Sequence, residues 1–175
     1  VQVVITLSDE TLAGFSRRLK ATPTKVKTEL GRGLQDGGRK VMTQVRRALK
    51  KQMNVRRYGV IVQGSKGILN KGALSYTIAG YGKGLPIREF STRVTGKGVW
   101  SDPWGNGRVF ARSFQQPQKG GLVARRSPKR FPLQSLRGPS LAKELVKGQS
   151  LKTWQSGVGA IVQPAIVRRL SKLLP

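Results

Sequence analysis

Apolar residues recur along this chain with changing period, and the changes divide it into three stretches. Residues 1–7 alternate, with Val3, Ile5 and Leu7 on one side, which predicts a short strand. Ser8, Asp9 and Glu10 then supply a helix N-cap and an acidic first turn, and Leu12, Phe15 and Leu19 follow at helical spacing. A longer helix begins with Thr22 as N-cap and Pro23 at its first position. Its apolar stripe is Val26, Leu30, Leu34, Val41, Val45 and Leu49. Gly31, Gly33, Gly37 and Gly38 lie inside it at a cost of about 1 kcal/mol each relative to Ala. Either the helix breaks near Gly37 and Gly38, or another backbone approaches closely there.

From residue 54 to 126 the period shifts toward alternation, and Gly and Pro punctuate short runs rich in Val, Ile, Thr, Tyr and Phe. The pattern predicts a meandering antiparallel sheet with strands over 60–63, 74–81, 87–94, 108–114 and 121–125. Residues 95–107 read as a loop too long for a hairpin turn. Its Trp100 and Trp104 either anchor an interface or cover one end of the sheet. Residues 131–175 turn helical again. Pro139 and Ser140 open a short helix through Leu141, Leu145 and Val146, and Ser150 caps a longer one carrying Leu151, Trp154, Val158, Ile161, Val162, Ile166, Leu170 and Leu173, kinked at Pro164. The expected fold is α+β in one domain: a strand plus helices over 1–53, a central antiparallel sheet over 54–126, and a C-terminal helical segment over 127–175.

Charge changes what such a fold can do. The chain carries 34 Lys+Arg against 7 Asp+Glu, a formal net charge of +27. Self-repulsion on that scale calls for an acidic partner: nucleic acid, an anionic membrane or an acidic protein surface. No stretch approaches the length of a membrane span and the apolar faces read as core stripes, so no membrane partner is expected. The sequence opens on Val1, so an initiator Met at least is expected before it, and nothing near it reads as an export signal; synthesis in the cytoplasm is expected. There is no His and no Cys, and the acids Asp9, Glu10, Glu29, Asp36, Glu89, Asp102 and Glu144 are scattered. The usual general base, proton shuttle and transition-metal ligands are therefore missing. The expectation is a non-enzymatic protein with no cofactor and no metal.

Two basic clusters stand out. The first is Arg46, Arg47, Lys50, Lys51, Arg56 and Arg57, at the end of the long helix and just beyond it, where a solvated helix end and a binding surface are both consistent readings. The second runs from Lys119 to Arg137 and includes Arg125, Arg126, Lys129 and Arg130. Either suits phosphates. The phosphate-loop pattern is absent, and Gly157 and Gly159 follow no strand. The run 108–114 is faintly similar to the aromatic, basic strand of RNA-recognition modules, with Phe110, Arg112 and Phe114 on one face. The plainer alternative has these phenylalanines packing on the helices.

Phe131-Pro132-Leu133-Gln134-Ser135-Leu136-Arg137-Gly138-Pro139-Ser140 resembles the pattern Leu-Pro-Ile-x-x-Leu-Tyr-Gly-Pro-Ser of the minor tail protein Z family, the tail-completion proteins of lambda-like phages and prophages. The likeness extends through Leu145. Upstream, Val109-Phe110-Ala111-Arg112 and Leu122-Val123-Ala124-Arg125-Arg126 stand where that family has an Ala-Phe strand and a Val-x-Arg-Arg strand, and residues 19–30 resemble its early basic helix. Arg137 replaces the usual aromatic, and residues 54–72 are richer in glycine. The resemblance implies an α+β tail or neck protein of the virion, made in the host cytoplasm, that acts late in head-to-tail joining. It implies a homo-oligomeric ring of about six or twelve copies, with tail terminator, connector or tape measure as partners and DNA in the channel. Phe131, Pro132, Leu136, Gly138, Pro139 and Ser140 become interface or scaffold residues. The alternative function is a nucleic-acid-binding protein of ribosomal or nucleoid type.

Overall fold

The long helix foreseen from the Val26-to-Leu49 stripe forms without a break in the computed structural model, which describes residues 2–6, 23–116 and 121–173. In chain order the first elements are β1 (Gln2–Thr6), α1 (Pro23–Met53), α2 (Tyr58–Gln63), β2 (Ser65–Asn70) and β3 (Ser75–Gly80). Six short strands follow: β4 (Thr92–Thr95), β5 (Gly98–Ser101), β6 (Arg108–Phe110), β7 (Ser113–Gln115), β8 (Leu122–Arg125) and β9 (Leu133–Ser135). The chain ends in α3 (Leu141–Leu145), α4 (Gly148–Gly157), a π turn (Val158–Val162) and α5 (Gln163–Leu170). The predicted helix over 8–21, the Thr22 cap and Lys119 lie outside the described residues.

All of the α1 stripe is buried, each side chain at 1% exposure or less. Burying side chains of this size contributes about 2 kcal/mol apiece. The glycines inside α1 answer the choice left open by the sequence: the helix continues, and other elements come close. A Cβ on Gly33 would lie 2.8 Å from the Ile166 Cα, and one on Gly37 would lie 2.8 Å from the Val162 Cα. The next turn reverses the roles, since a Cβ on Gly157 would sit 2.9 Å from Val41. Along α1 the seam steps by four residues each time, whereas along the partner it steps from Ile166 to Val162 and then five back to Gly157. The π turn supplies that extra residue, with the Gln163 N–H donating to the Val158 carbonyl. Pro164, in the first turn of α5, lacks the N–H that a continuous α-helix would use there. The predicted kink is therefore a π turn just before Pro164, and it keeps both helices in register.

The opposite side of α1 meets the antiparallel sheet β1-β3-β2, where the Tyr76 ring lies against Gly38. Two further three-stranded antiparallel sheets, β4-β5-β6 and β7-β8-β9, follow in the chain. The α+β fold class stands, with an N-terminal helix, central strands and C-terminal helices.

Several element assignments need correction. Residues 60–63 form part of α2 rather than a strand: Ile61 is buried and the Gly64 N–H returns to the Val60 carbonyl. Pairing decides here over β-branched propensity, and the strand is the next segment, β2, laddered onto β3. Residues 87–94 begin as a 3₁₀ turn after Pro86, and only Thr92–Thr95 pairs as a strand. The expected loop over 95–107 contains β5, the middle strand of its sheet, joined to β4 by a two-residue turn at Gly96 and Lys97. The run 108–114 breaks at Arg112 (φ 55°) into β6 and β7, so Phe110, Arg112 and Phe114 do not share a face. A strand, β9, precedes the C-terminal helices, and α4 starts at Gly148 rather than at a Ser150 cap.

Candidate functional site

Segment 131–140 divides into an outward half and an inward half. Phe131 is 62% exposed and Pro132 is exposed beside it. From Leu136 onward the backbone is stitched to residues 84–87 and to β8. The Leu136 N–H donates to the Leu122 carbonyl (2.9 Å), and the Leu136 carbonyl accepts from the Ile87 N–H (3.1 Å). Gly138 N–H donates to Leu85 (2.7 Å), whose own N–H returns to the Pro139 carbonyl (2.9 Å). The ring of Phe90 occupies the space where a Gly138 side chain would begin. Ser140 ends the extended stretch, and its carbonyl accepts the Glu144 N–H in the first turn of α3 (3.0 Å). Arg137 reaches back to the Gly84 carbonyl (3.0 Å). Leu136, Gly138, Pro139 and Ser140 thus fasten α3 to the sheets.

The basic residues fall into committed and uncommitted sets. Arg46 is fastened to the α2–β2 corner, through Nε to Ser65 Oγ (2.8 Å) and Nη2 to the Ser65 carbonyl (2.7 Å). Arg57 forks onto the buried Glu89 carboxylate at 2.7–3.1 Å, and that hydrogen bond raises the guanidinium pKa above its ordinary value. These two of the predicted basic surface are structural. Arg47, Lys51 and Arg56 are exposed, and Lys50 is half-buried. In the second cluster Arg125 lies over the Phe114 ring (4.9 Å), Arg130 lies over Phe131 (5.7 Å), and Lys129 is exposed. Arg126 donates to the Gln134 amide oxygen (2.7 Å) beside an open groove of about 600 Å³ that Pro132, Leu133 and Arg137 also line.

The two tryptophans have separate surroundings. Trp100 sits half-buried in β5 with Arg93 stacked on it at 4.8 Å. Trp104 holds a left-handed backbone (φ 60°) in a 3₁₀ turn tied to the end of α1, where Asn54 Nδ2 donates to the Asp102 carboxylate (3.0 Å). Its ring is 43% exposed.

Every described carboxylate has an internal partner. Glu29 and Asp36 hold Arg169, Glu89 holds Arg57, and Asp102 holds Asn54. Glu144, 3% exposed, bonds Lys147 Nζ (2.8 Å) and Gln52 Nε2 (2.8 Å). Burial pushes its pKa up, but hydrogen bonds from Lys147, Gln52 and Trp104 outweigh that and leave it below the ordinary 4.5. Among the described residues no group of three His, Cys, Asp or Glu could hold a metal ion, and no helix is long and apolar enough to cross a membrane.

Two residues escaped the sequence reading: Arg93, over Trp100, and Arg108, over Phe110 at 4.6 Å. Arg108 and Phe110 are two apart in a strand and so share a face, a readable signal. The Arg93 and Arg125 pairs depend on strand pairing, which sequence does not display. No family model, curated protein or solved structure matches this chain.

Proposed function

We propose that this protein is a structural component of a phage tail or neck, a tail-completion protein that finishes the tail and supports head-to-tail joining around the DNA channel. The observation that carries this reading is segment 131–145. Its likeness to the minor tail protein Z pattern coincides with a fastening role: Leu136, Gly138 and Pro139 exchange backbone hydrogen bonds with Leu122, Leu85 and Ile87. A pattern constrained by folding in this way suits an assembly protein, in which subunit shape is the function. The non-enzymatic reading rests on the absence of His and Cys and on carboxylates held by internal partners. In this reading the exposed Phe131 and the open groove beside β9 face a neighbouring subunit or neck protein of a homo-oligomeric ring in the virion.

Two measurements test it. Disruption of the gene in its phage is expected to leave tails of normal length and few infectious particles; undiminished infectivity sinks the reading. Native mass spectrometry of the purified protein is expected to give a closed oligomer of about six or twelve copies. The uncommitted arginines favour a second reading, a free nucleic-acid-binding protein of ribosomal or nucleoid type. It requires steeply salt-dependent binding by a chain that stays monomeric.

A further inference from the structure

We infer that the small-sheet region from β4 to β9 is a contact surface for the sugar-phosphate backbone of duplex DNA, presented by four arginines stacked on aromatic rings. The arginines are Arg93 on Trp100, Arg108 on Phe110, Arg125 on Phe114 and Arg130 on Phe131, at 4.6–5.7 Å. This deepens the neck reading by assigning which face meets the DNA.

Three observations carry it. The first is charge: residues 92–137 hold Arg93, Lys97, Arg108, Arg112, Lys119, Arg125, Arg126, Lys129, Arg130 and Arg137 against the single acid Asp102. That acid accepts from Asn54 at the end of α1.

The second is commitment. Elsewhere Arg46, Arg57 and Arg169 have their donors on protein oxygens, and Arg39, Arg47, Arg56 and Arg168 are exposed with neither such a bond nor a ring beneath them among the described residues. Among the described residues the four stacked arginines have no such hydrogen bond or ion pair; each guanidinium carbon lies 4.6–5.7 Å from a ring centroid. A cation–π contact restrains the side chain without using its N–H donors, and that fork can take a phosphate through two of them.

The third is the state of the rings. Trp100, Phe110 and Phe114 are half-buried, with an arginine over the ring. These three offer little open π-face to an unpaired base, which is what single-strand and RNA readers require, whereas Phe131, 62% exposed, keeps part of its ring open. The available donors suit phosphates of a paired duplex, read without sequence. The strand alternation also puts Arg93 and Trp100 on one side of the β4-β5-β6 sheet and Arg108 and Phe110 on the other. The second side also carries the buried Val99 and Ser101, so Arg108 reaches solvent from the edge strand β6.

The test uses the full chain and a 30-base-pair duplex of scrambled sequence, with affinity measured across salt concentration. Wild type is expected to bind with a steep log–log salt slope. The variant R93Q/R108Q/R125Q/R130Q should lose at least about tenfold in affinity near 0.1 M salt and flatten the slope by about 3 to 4, because each phosphate contact contributes about 0.9. The control K25Q/K27Q/K40Q/K152Q removes the same charge from exposed helix positions and should change the slope by less than 1. Circular dichroism establishes that both variants fold. Equal losses in the two variants would overturn the inference, as would negligible duplex binding by wild type or a preference for single-stranded RNA. A ring without DNA binding ends the inference and leaves the neck reading standing. DNA binding through these arginines by a monomer that forms no ring does the reverse.

Discussion

The helical body and the small-sheet region use their polar residues in opposite ways. In the body, α1 lies between the sheet β1-β3-β2 and the C-terminal helices, with Gly33 and Gly37 letting α5 and the π turn close in; its carboxylates are held by internal partners, while cations such as Arg39, Lys40, Arg47, Lys51 and Arg168 stay exposed on its surface. Glu29 and Asp36 hold Arg169, and Glu144 joins Gln52, Lys147 and the Ser150 region at the foot of α1. In the small-sheet region the strands are three or four residues long, most side chains remain at least partly exposed, and four arginines lie over rings with no protein acceptor among the described residues. A chain of net charge +27 stays folded because most of the buried core and the carboxylates belong to the body, while much of the uncommitted charge sits where little of the core depends on it. The core and the carboxylates are concentrated in the body, and exposed cations lie on both regions.

The strongest test of that contrast is Gly37→Val. The new side chain would start 2.8 Å from the Val162 backbone, which a side-chain rotation cannot relieve. Despite a gain in helix propensity, the expected loss is about 3 kcal/mol in urea unfolding, the upper range for overpacking. Gly159→Ala, with nothing within 4 Å, is the control and should leave stability unchanged or raise it by up to about 1 kcal/mol. Equal effects at the two positions would mean that the close helix seam is not what holds the body together.

Gln52→Ala comes next. It strips a donor from the buried Glu144 carboxylate and an acceptor from the Ser150 N–H (3.0 Å), at an expected cost of about 2 kcal/mol. The same cluster predicts a pH dependence. The folded-state pKa of Glu144 lies below its ordinary 4.5, so the unfolded chain takes the proton first as pH falls. The stabilisation is full above about pH 4.5 and is lost as pH drops through the lower folded value. Glu144→Gln should show a shallower loss of Tm on acidification than wild type. Parallel curves would remove the carboxylate from the account of the body's acid stability.

What the sequence made legible follows the same division. The α1 stripe and the two outcomes for Gly37 could be read directly, because a helix writes its buried face into the local sequence. The short strands could not. Val60-Ile61-Val62 looks like a strand and is a helix, while Ser65-Lys66-Gly67-Ile68-Leu69-Asn70 looks like a loop and is β2, because β3 supplies its ladder. The basic clusters were legible as composition and illegible as roles. Arg46, Arg57 and Arg125 resemble one another in the sequence. Arg46 differs through Ser65, 19 residues on, and Arg57 through Glu89, 32 residues on. Arg125 differs through a ring on the neighbouring strand. Roles set by distant partners appear only once the chain is folded.

Arg57→Ala sharpens this further. It leaves Glu89, 5% exposed, with only Arg88 at 3.9 Å. The Arg57 guanidinium itself is exposed and screened by solvent, so the drop in Tm should be smaller than that of Gln52→Ala.

Arg125→Gln should have the smallest effect. The residue sits on the half-buried Phe114 ring and makes no hydrogen bond through its side chain to any described residue. An exposed cation–π contact contributes about 0.5–1 kcal/mol, so the loss should not exceed about 1 kcal/mol. Pairing it with Phe114→Leu in a double-mutant cycle isolates that contact. A coupling well below 1 kcal/mol, together with normal cooperativity, is what a residue held ready for an outside partner would show. A coupling of 2 kcal/mol or more would make Arg125 a fastening residue like Arg57, and the contrast between the committed arginines of the body and the ring-stacked arginines of the small-sheet region would fail.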